Sequence, residues 1–140
     1  MSKLSYIIVP VAAEETKINI KKTIDEIRGI GYWTCPQGGM GDKSMIGDQI
    51  WFVNGKNEQK STENAVRYIG NITQLVDPIN DSDLHESLSM SWEGDWSKRK
   101  IAIFRLMPLL KKDLLTYDQV CEMFDYTRLS MGSTRVVQKT

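Results

Sequence analysis

The chain has 140 residues, with 18 acidic and 18 basic side chains and a formal net charge of zero; this excludes a generic duplex binder, which relies on phosphate contacts and is basic. Hydrophobic residues make up 41% and charged residues 26%, the balance of a folded globular chain rather than a disordered or fibrous one, and residues 1–140 are expected to form a single domain around one core. The apolar runs fall far short of the ~20 residues that span a bilayer, no basic-then-apolar leader opens the sequence, and Cys35 and Cys121 lack any scaffold spacing, so a soluble cytoplasmic protein with free thiols is expected.

Residues 5–11 (SYIIVPV) read as a strand rich in β-branched side chains. Residues 14–28 read as an amphipathic helix: Ile20, Ile24 and Ile27 fall at i, i+4 and i+7, Glu14 and Glu15 favour its N-terminal end, and Gly29 and Gly31 can stop it. Residues 36–42 (PQGGMGD) form a glycine-rich loop directly after Trp33. Ile46-Gly47-Asp48 turns into a strand over residues 49–53, which Asn54-Gly55 ends. After a polar loop, residues 66–76 (VRYIGNITQLV) form a long strand with Gly70 marking a bulge. Residues 77–90 are polar and turn-rich.

Residues 100–107 (KIAIFRLM) form a strand that Pro108 ends, with Ile101, Ile103 and Arg105 on one side and Ala102, Phe104 and Leu106 on the other. Thr116 and Gln119 have the spacing of a capping box, and the helix that follows should bury Val120, Cys121 and Phe124. Residues 134–138 can form a last short strand. Several short strands with two or more helices give an α+β fold built on a curved β-sheet or small β-barrel flanked by helices.

The tryptophans carry the functional information. Trp51 lies between Ile50 and Phe52 in a strand and is assigned to packing. Trp33 precedes the glycine-rich loop, and Trp92 and Trp96 stand four residues apart in the segment Ser91-Trp92-Glu93-Gly94-Asp95-Trp96. On a loop, Trp92 and Trp96 can form opposing walls with Trp33 as the floor, a cage for one extruded base; stacking a base on an aromatic ring is worth roughly 1–3 kcal/mol. A methyl group gains about 0.8 kcal/mol per buried carbon in such a cage, whereas an unmodified amino group loses a hydrogen bond to water. A cationic base such as 7-methylguanine would gain cation–π attraction and could use Glu93 or Asp95 on its edge. Directly afterwards comes Ser97-Lys98-Arg99-Lys100, the densest basic run, in which Lys98, Arg99 and Lys100 are candidate phosphate contacts. Arg67, Lys56, Lys60 and Arg135 could extend that patch. Each of these groups also has a plainer role: an aromatic anchor for a loop, rim residues over the end of a barrel, a solvated strand entry.

Taken in order, these segments resemble the YTH domains of the PUA-like superfamily, with the related EVE domains, over nearly the whole chain. The resemblance rests on a strand and helix followed by Gly31-Tyr32-Trp33-Thr34, a strand ending Val53-Asn54-Gly55, Tyr68-Ile69-Gly70 within a strand, and the Trp92/Trp96 pair before a basic residue and a strand. The segment Tyr126-Thr127-Arg128-Leu129-Ser130 to Val136 is similar to the family's C-terminal segment. It implies that Trp33, Trp92 and Trp96 are the cage, that Thr34 holds the position whose backbone binds the modified amino group, and that Asn19 takes the part of the base-edge asparagine. The implied ligand is N6-methyladenine in single-stranded RNA, as in YTH proteins; EVE-type relatives point to modified cytosine in DNA. Such a reader could recruit an effector protein or mask modified sites by occupying them.

Two other classes compete. An enzyme would have to use His85, the one histidine, with Cys35 or Cys121, or would draw on Asp42, Lys43, Asp48 and Lys98; no spacing requires it, and no zinc, Walker or dinucleotide motif occurs. Exposed tryptophans on a neutral chain also suit a protein-interaction module. A non-enzymatic reader that needs no cofactor is the expectation carried forward.

Overall fold

The computed structural model describes residues 3–8, 22–34, 46–53, 64–90, 92, 99–124 and 134–139. The strands are β1 (Lys3–Ile8), β2 (Ile24–Asp25), β3 (Ile30–Thr34), β4 (Gln49–Val53), β5 (Val66–Val76), β6 (Ile101–Leu106) and β7 (Thr134–Lys139), with helices α1 (Ser82–Ser89) and α2 (Tyr117–Met123). They form one sheet in the order β2-β3-β6-β5-β4-β1-β7. β1 runs parallel to β4; the other neighbours are antiparallel.

The sheet is curled. Trp33 on β3 and Phe52 on β4 are three strand steps apart, about 14 Å in a flat sheet, yet their ring centroids lie 5.8 Å apart. Inside the curl sit Ile24, Ile50, Phe52, Ile72, Ala102 and Phe104. Two register shifts on β5 supply bends, one between the pairs Phe52↔Tyr68 and Val53↔Val66 and one between Ile72↔Phe104 and Gln74↔Ile103. The bulge expected at Gly70 is thus at Arg67 and at Thr73 instead. Gly70 has a different duty: a Cβ there would lie 2.4 Å from Phe104 Cδ2, and one at Gly31 2.8 Å from Phe104 Cε2. Two bare backbones on the strands beside β6 make the space that a fully buried Phe104 fills.

On the other face, α2 lays Tyr117, Val120, Cys121 and Phe124 against Trp51, Val53, Val66 and Ile69. Trp51 packs edge-on against Phe124 at 5.2 Å, and its Nε1 donates to Gln49 Oε1 at 3.2 Å, in agreement with its assignment to packing. The expected capping box is present: Gln119 N donates to Thr116 Oγ1 at 3.3 Å and Thr116 N to Gln119 Oε1 at 2.9 Å.

Two expectations are corrected. Helical backbone reaches only Lys22 and Thr23, and residues 24–31 are a short hairpin. Asp25 Oδ1 accepts from Ile27 N at 3.1 Å and Arg28 N at 3.0 Å, and Gly29 closes the turn with φ +69°. A side chain that satisfies the backbone in this way competes with the helix, so Ile24 is buried while Ile27 is 99% exposed. Residues 14–21 lie outside the described residues. The second correction concerns residues 77–90, where α1 follows a turn in which Asp77 Oδ1 accepts from Ile79 N and Asn80 N. No helix among the described residues is long and apolar enough to cross a membrane.

Candidate nucleic-acid interface

β3 carries the first candidate residues. Its register sets Tyr32 opposite Ile103, Trp33 opposite Ala102 and Thr34 opposite Ile101. Strand alternation sends Tyr32 and Trp33 to opposite faces, yet both meet one ring: Trp92 lies 5.4 Å from Tyr32 and 5.6 Å from Trp33, tilted by 57° and 75°. β2 pairs only with Ile30 and Gly31, so Trp92 wraps the β3 edge beyond the reach of β2.

Trp33 is half-buried. Trp92, expected as an open wall on a loop, is 7% exposed and packs with Val76 and Ile101. That corrects the open-wall expectation: Trp92 is a core residue that supports Trp33 edge-on. Trp96, Asn19 and Lys98 lie outside the described residues, as do Glu93 and Asp95.

The basic residues approach the same end of the sheet. Lys100 directly precedes Ile101, the register partner of Thr34; Lys100 is exposed and Arg99 half-buried. His85, expected in a polar segment as the histidine of a possible enzyme, is a buried residue of α1. Its Nε2 hydrogen-bonds the Arg99 carbonyl, so the ring N–H donates there and ties α1 to the entry of β6. Asp77, whose carboxyl is held below its ordinary value chiefly by the N–H groups of Asn80 and Ile79, also feels the Lys100 charge.

Arg67 does not extend this run. It sits at the other end of β5, with its guanidinium 5.9 Å from the centre of the Tyr68 ring. Tyr68 OH donates to the Glu26 carboxylate on the β2–β3 turn, and the Tyr68 ring stands edge-on against Phe52 at 6.2 Å. A continuous aromatic row therefore runs from Trp92 through Trp33 and Phe52 to Tyr68. Reasoning from sequence missed Tyr32, Phe52 and Tyr68; the period-2 alternation of β4, which turns Phe52 away from Trp51, was the available clue.

A separate cavity of about 280 Å³ lies on the α2 face, lined by Gln49, Trp51, Met107, Leu110, Lys112 and Met123 among others. Among the described residues no cluster of His, Cys, Asp and Glu side chains could hold a metal ion.

No protein-family model matches the chain, and no curated protein matches it by sequence. Its structure is similar to the N-terminal domain of Thermococcus gammatolerans McrB bound to m5C DNA, at TM-score 0.58 and 15% identity over 96% of this chain and 90% of that one. A weaker likeness, at TM-score 0.42 and 10% identity over 97% of this chain and 88% of the other, is to a mutant ASCH protein from Zymomonas mobilis. The first likeness shows the fold: an α+β arrangement of a curled sheet with flanking helices, shared with that McrB domain.

Proposed function

We propose that this chain is a non-enzymatic reader that captures one modified nucleobase of a nucleic acid, and that modified cytosine in DNA is its ligand ahead of N6-methyladenine in RNA. The observation that carries the reading is the setting of Trp33: a half-buried ring held edge-on between Phe52 and Trp92, at the end of the sheet that Arg99 and Lys100 enter. Such a ring offers a face for stacking, and neighbouring cations can take the flanking phosphates. The preference for cytosine draws on the fold likeness, whose McrB domain is bound to m5C DNA.

With no net charge, affinity must come from the base pocket and this local patch rather than from a general field. Binding without turnover suits a chain whose one histidine is buried against a backbone carbonyl. N6-methyladenine in RNA remains the second reading, favoured by the Gly-Tyr-Trp-Thr segment through Thr34. Either role places the protein with nucleic acid inside the cell.

Tryptophan-fluorescence titration at fixed salt tests this, using matched oligonucleotides with cytosine, 5-methylcytosine, adenine or N6-methyladenine, each as DNA and RNA. The expected result is a preference of at least about tenfold, 1.4 kcal/mol, for 5-methylcytosine DNA over its unmodified form, abolished in a folded Trp33→Ala variant. Tighter binding of N6-methyladenine RNA would select the second reading. Equal binding of modified and unmodified forms would remove the reader function altogether.

A further inference from the structure

The cavity on the α2 face stands apart from everything assigned to nucleic acid. Trp33 packs into the curl of the sheet, whereas this cavity opens on the opposite face, between β4, the end of α2 and the segment that follows β6. Its volume of about 280 Å³ lies at the lower edge of the roughly 300–1,000 Å³ of small-molecule pockets, room for one ring or a short chain. The walls are mainly apolar and firmly set. Trp51 is held edge-on by Phe124 and by its Nε1 bond to Gln49 Oε1. Met107 N donates to Ile69 O at 2.7 Å, which fixes a second wall. Met123, the last residue of α2, and Leu110 stand exposed at the mouth.

The lip is built by a reciprocal clasp: Leu110 N donates to Asp113 Oδ2 at 3.0 Å, and Asp113 N to Leu110 O at 2.8 Å. The clasp commits the Asp113 carboxylate to the backbone and holds the turn that carries Lys112 beside the opening. Among the described residues Lys112 has no carboxylate within ion-pair distance. At the wall, Gln49 gives its oxygen to Trp51, while its Nε2 meets the Met107 sulfur at 3.7 Å, a weak acceptor. The spare polar capacity of Gln49 and Lys112 is therefore donor capacity, one amide and one ammonium, in otherwise apolar surroundings. Such a set favours a ligand that brings an acceptor, and above all an anionic one, since a hydrogen bond between charged groups is the stronger kind.

We propose that this cavity binds a small apolar carboxylate, with Lys112 and Gln49 Nε2 donating to the carboxylate and Trp51, Met107 and Met123 enclosing an aromatic or short aliphatic body. The two methionines suit that body, because their unbranched thioethers adapt in shape and make favourable contacts with aromatic rings. Covering Leu110 and Met123 removes apolar surface from water, which drives binding. A cationic ligand of the same shape sets its charge against Lys112 and is rejected.

Methionine-methyl NMR of the whole chain tests this with three probes that share a phenylbutyl body: 4-phenylbutyrate, 4-phenylbutanamide and 4-phenylbutylamine. Met107→Leu and Met123→Leu assign the two signals. Both methyl signals should shift saturably. The carboxylate should bind at least about fivefold more tightly than the amide, the most that a partly exposed ion pair ordinarily supplies, and the amine should bind most weakly. Lys112→Ala should bring the carboxylate to the level of the amide and, because Lys112 is exposed, leave thermal unfolding unchanged. The proposal is overturned by the absence of a saturable shift at both methyl groups, by an amine that binds as tightly as the carboxylate, or by a carboxylate preference that survives in folded Lys112→Ala.

Discussion

Trp33 and Trp92 meet edge to face, with 5.6 Å between ring centroids and 75° between planes. They do not share a burden equally. Trp92 is buried among Tyr32, Val76 and Ile101, whereas Trp33 is only partly buried. Trp92→Ala should destabilise the fold by about 3–5 kcal/mol, the usual range for deleting a buried large aromatic, and Trp33→Ala by clearly less. Urea unfolding of both variants checks this; equal losses would mean that Trp33 is an ordinary core residue rather than a supported platform.

Gly70→Ala should damage the fold although it adds a single carbon. That carbon would lie 2.4 Å from the Phe104 ring, and overpacking of this kind costs about 1–3 kcal/mol or more. Phe104→Leu in the same chain should recover part of the loss, so the double mutant should be more stable than the sum of the two single effects. Strict additivity in thermal or urea melts would contradict the contact.

His85 predicts a structural phenotype that reaches the basic run. His85→Ala leaves the Arg99 carbonyl without its donor, and about 1–3 kcal/mol of stability should go with it. Nucleic-acid affinity should fall as well, because Arg99 and Lys100 enter β6 from that anchor. Nitrogen NMR of the imidazole should report the proton on Nε2; a proton on Nδ1 alone would mean that His85 does not hold Arg99 in this way.

The Tyr68 phenol is held above its ordinary pKa of 10.0, first by burial, then by its hydrogen bond to Glu26 and the charge of that carboxylate, with Arg67 acting in the opposite direction. A raised folded pKa means that the contribution to stability is whole below about pH 10 and is lost as pH rises through the folded value. In an alkaline ultraviolet titration one tyrosine should ionise after exposed tyrosines do, and that late component should vanish in Tyr68→Phe and move to lower pH in Glu26→Gln. A late component that survives Tyr68→Phe would assign the shift to another tyrosine.

Much of the sheet was legible because local chemistry writes it directly. The strands over residues 49–53 and 66–76 and the Thr116/Gln119 capping box appear where the residues require them. The failures were local competitions that periodicity does not report. Asp25 organises a turn that keeps residues 24–31 out of the helix that the isoleucine spacing predicts, and Asp77 likewise organises a turn ahead of α1, a helix whose residues 82–89 are polar enough to read as loop. At the candidate site, residue types marked Trp33 and Trp92, but burial separated their roles, and nothing in the order of residues joined Glu26 to Tyr68 across 42 positions.

What the sequence determined by itself is composition and order: a neutral chain with too little net charge for generic phosphate binding, a local basic run, and the tryptophans Trp33, Trp92 and Trp96 ahead of it. Which strands lie side by side, and therefore which rings touch, was decided only by the tertiary structure. Side-chain alternation specifies the face a residue takes but not the neighbour it meets. That neighbour depends on register and on the curl forced by two bulges and two glycines around Phe104, which carries Trp33 across three strand steps to Phe52 and leaves Tyr68 and Glu26 at the end of the row.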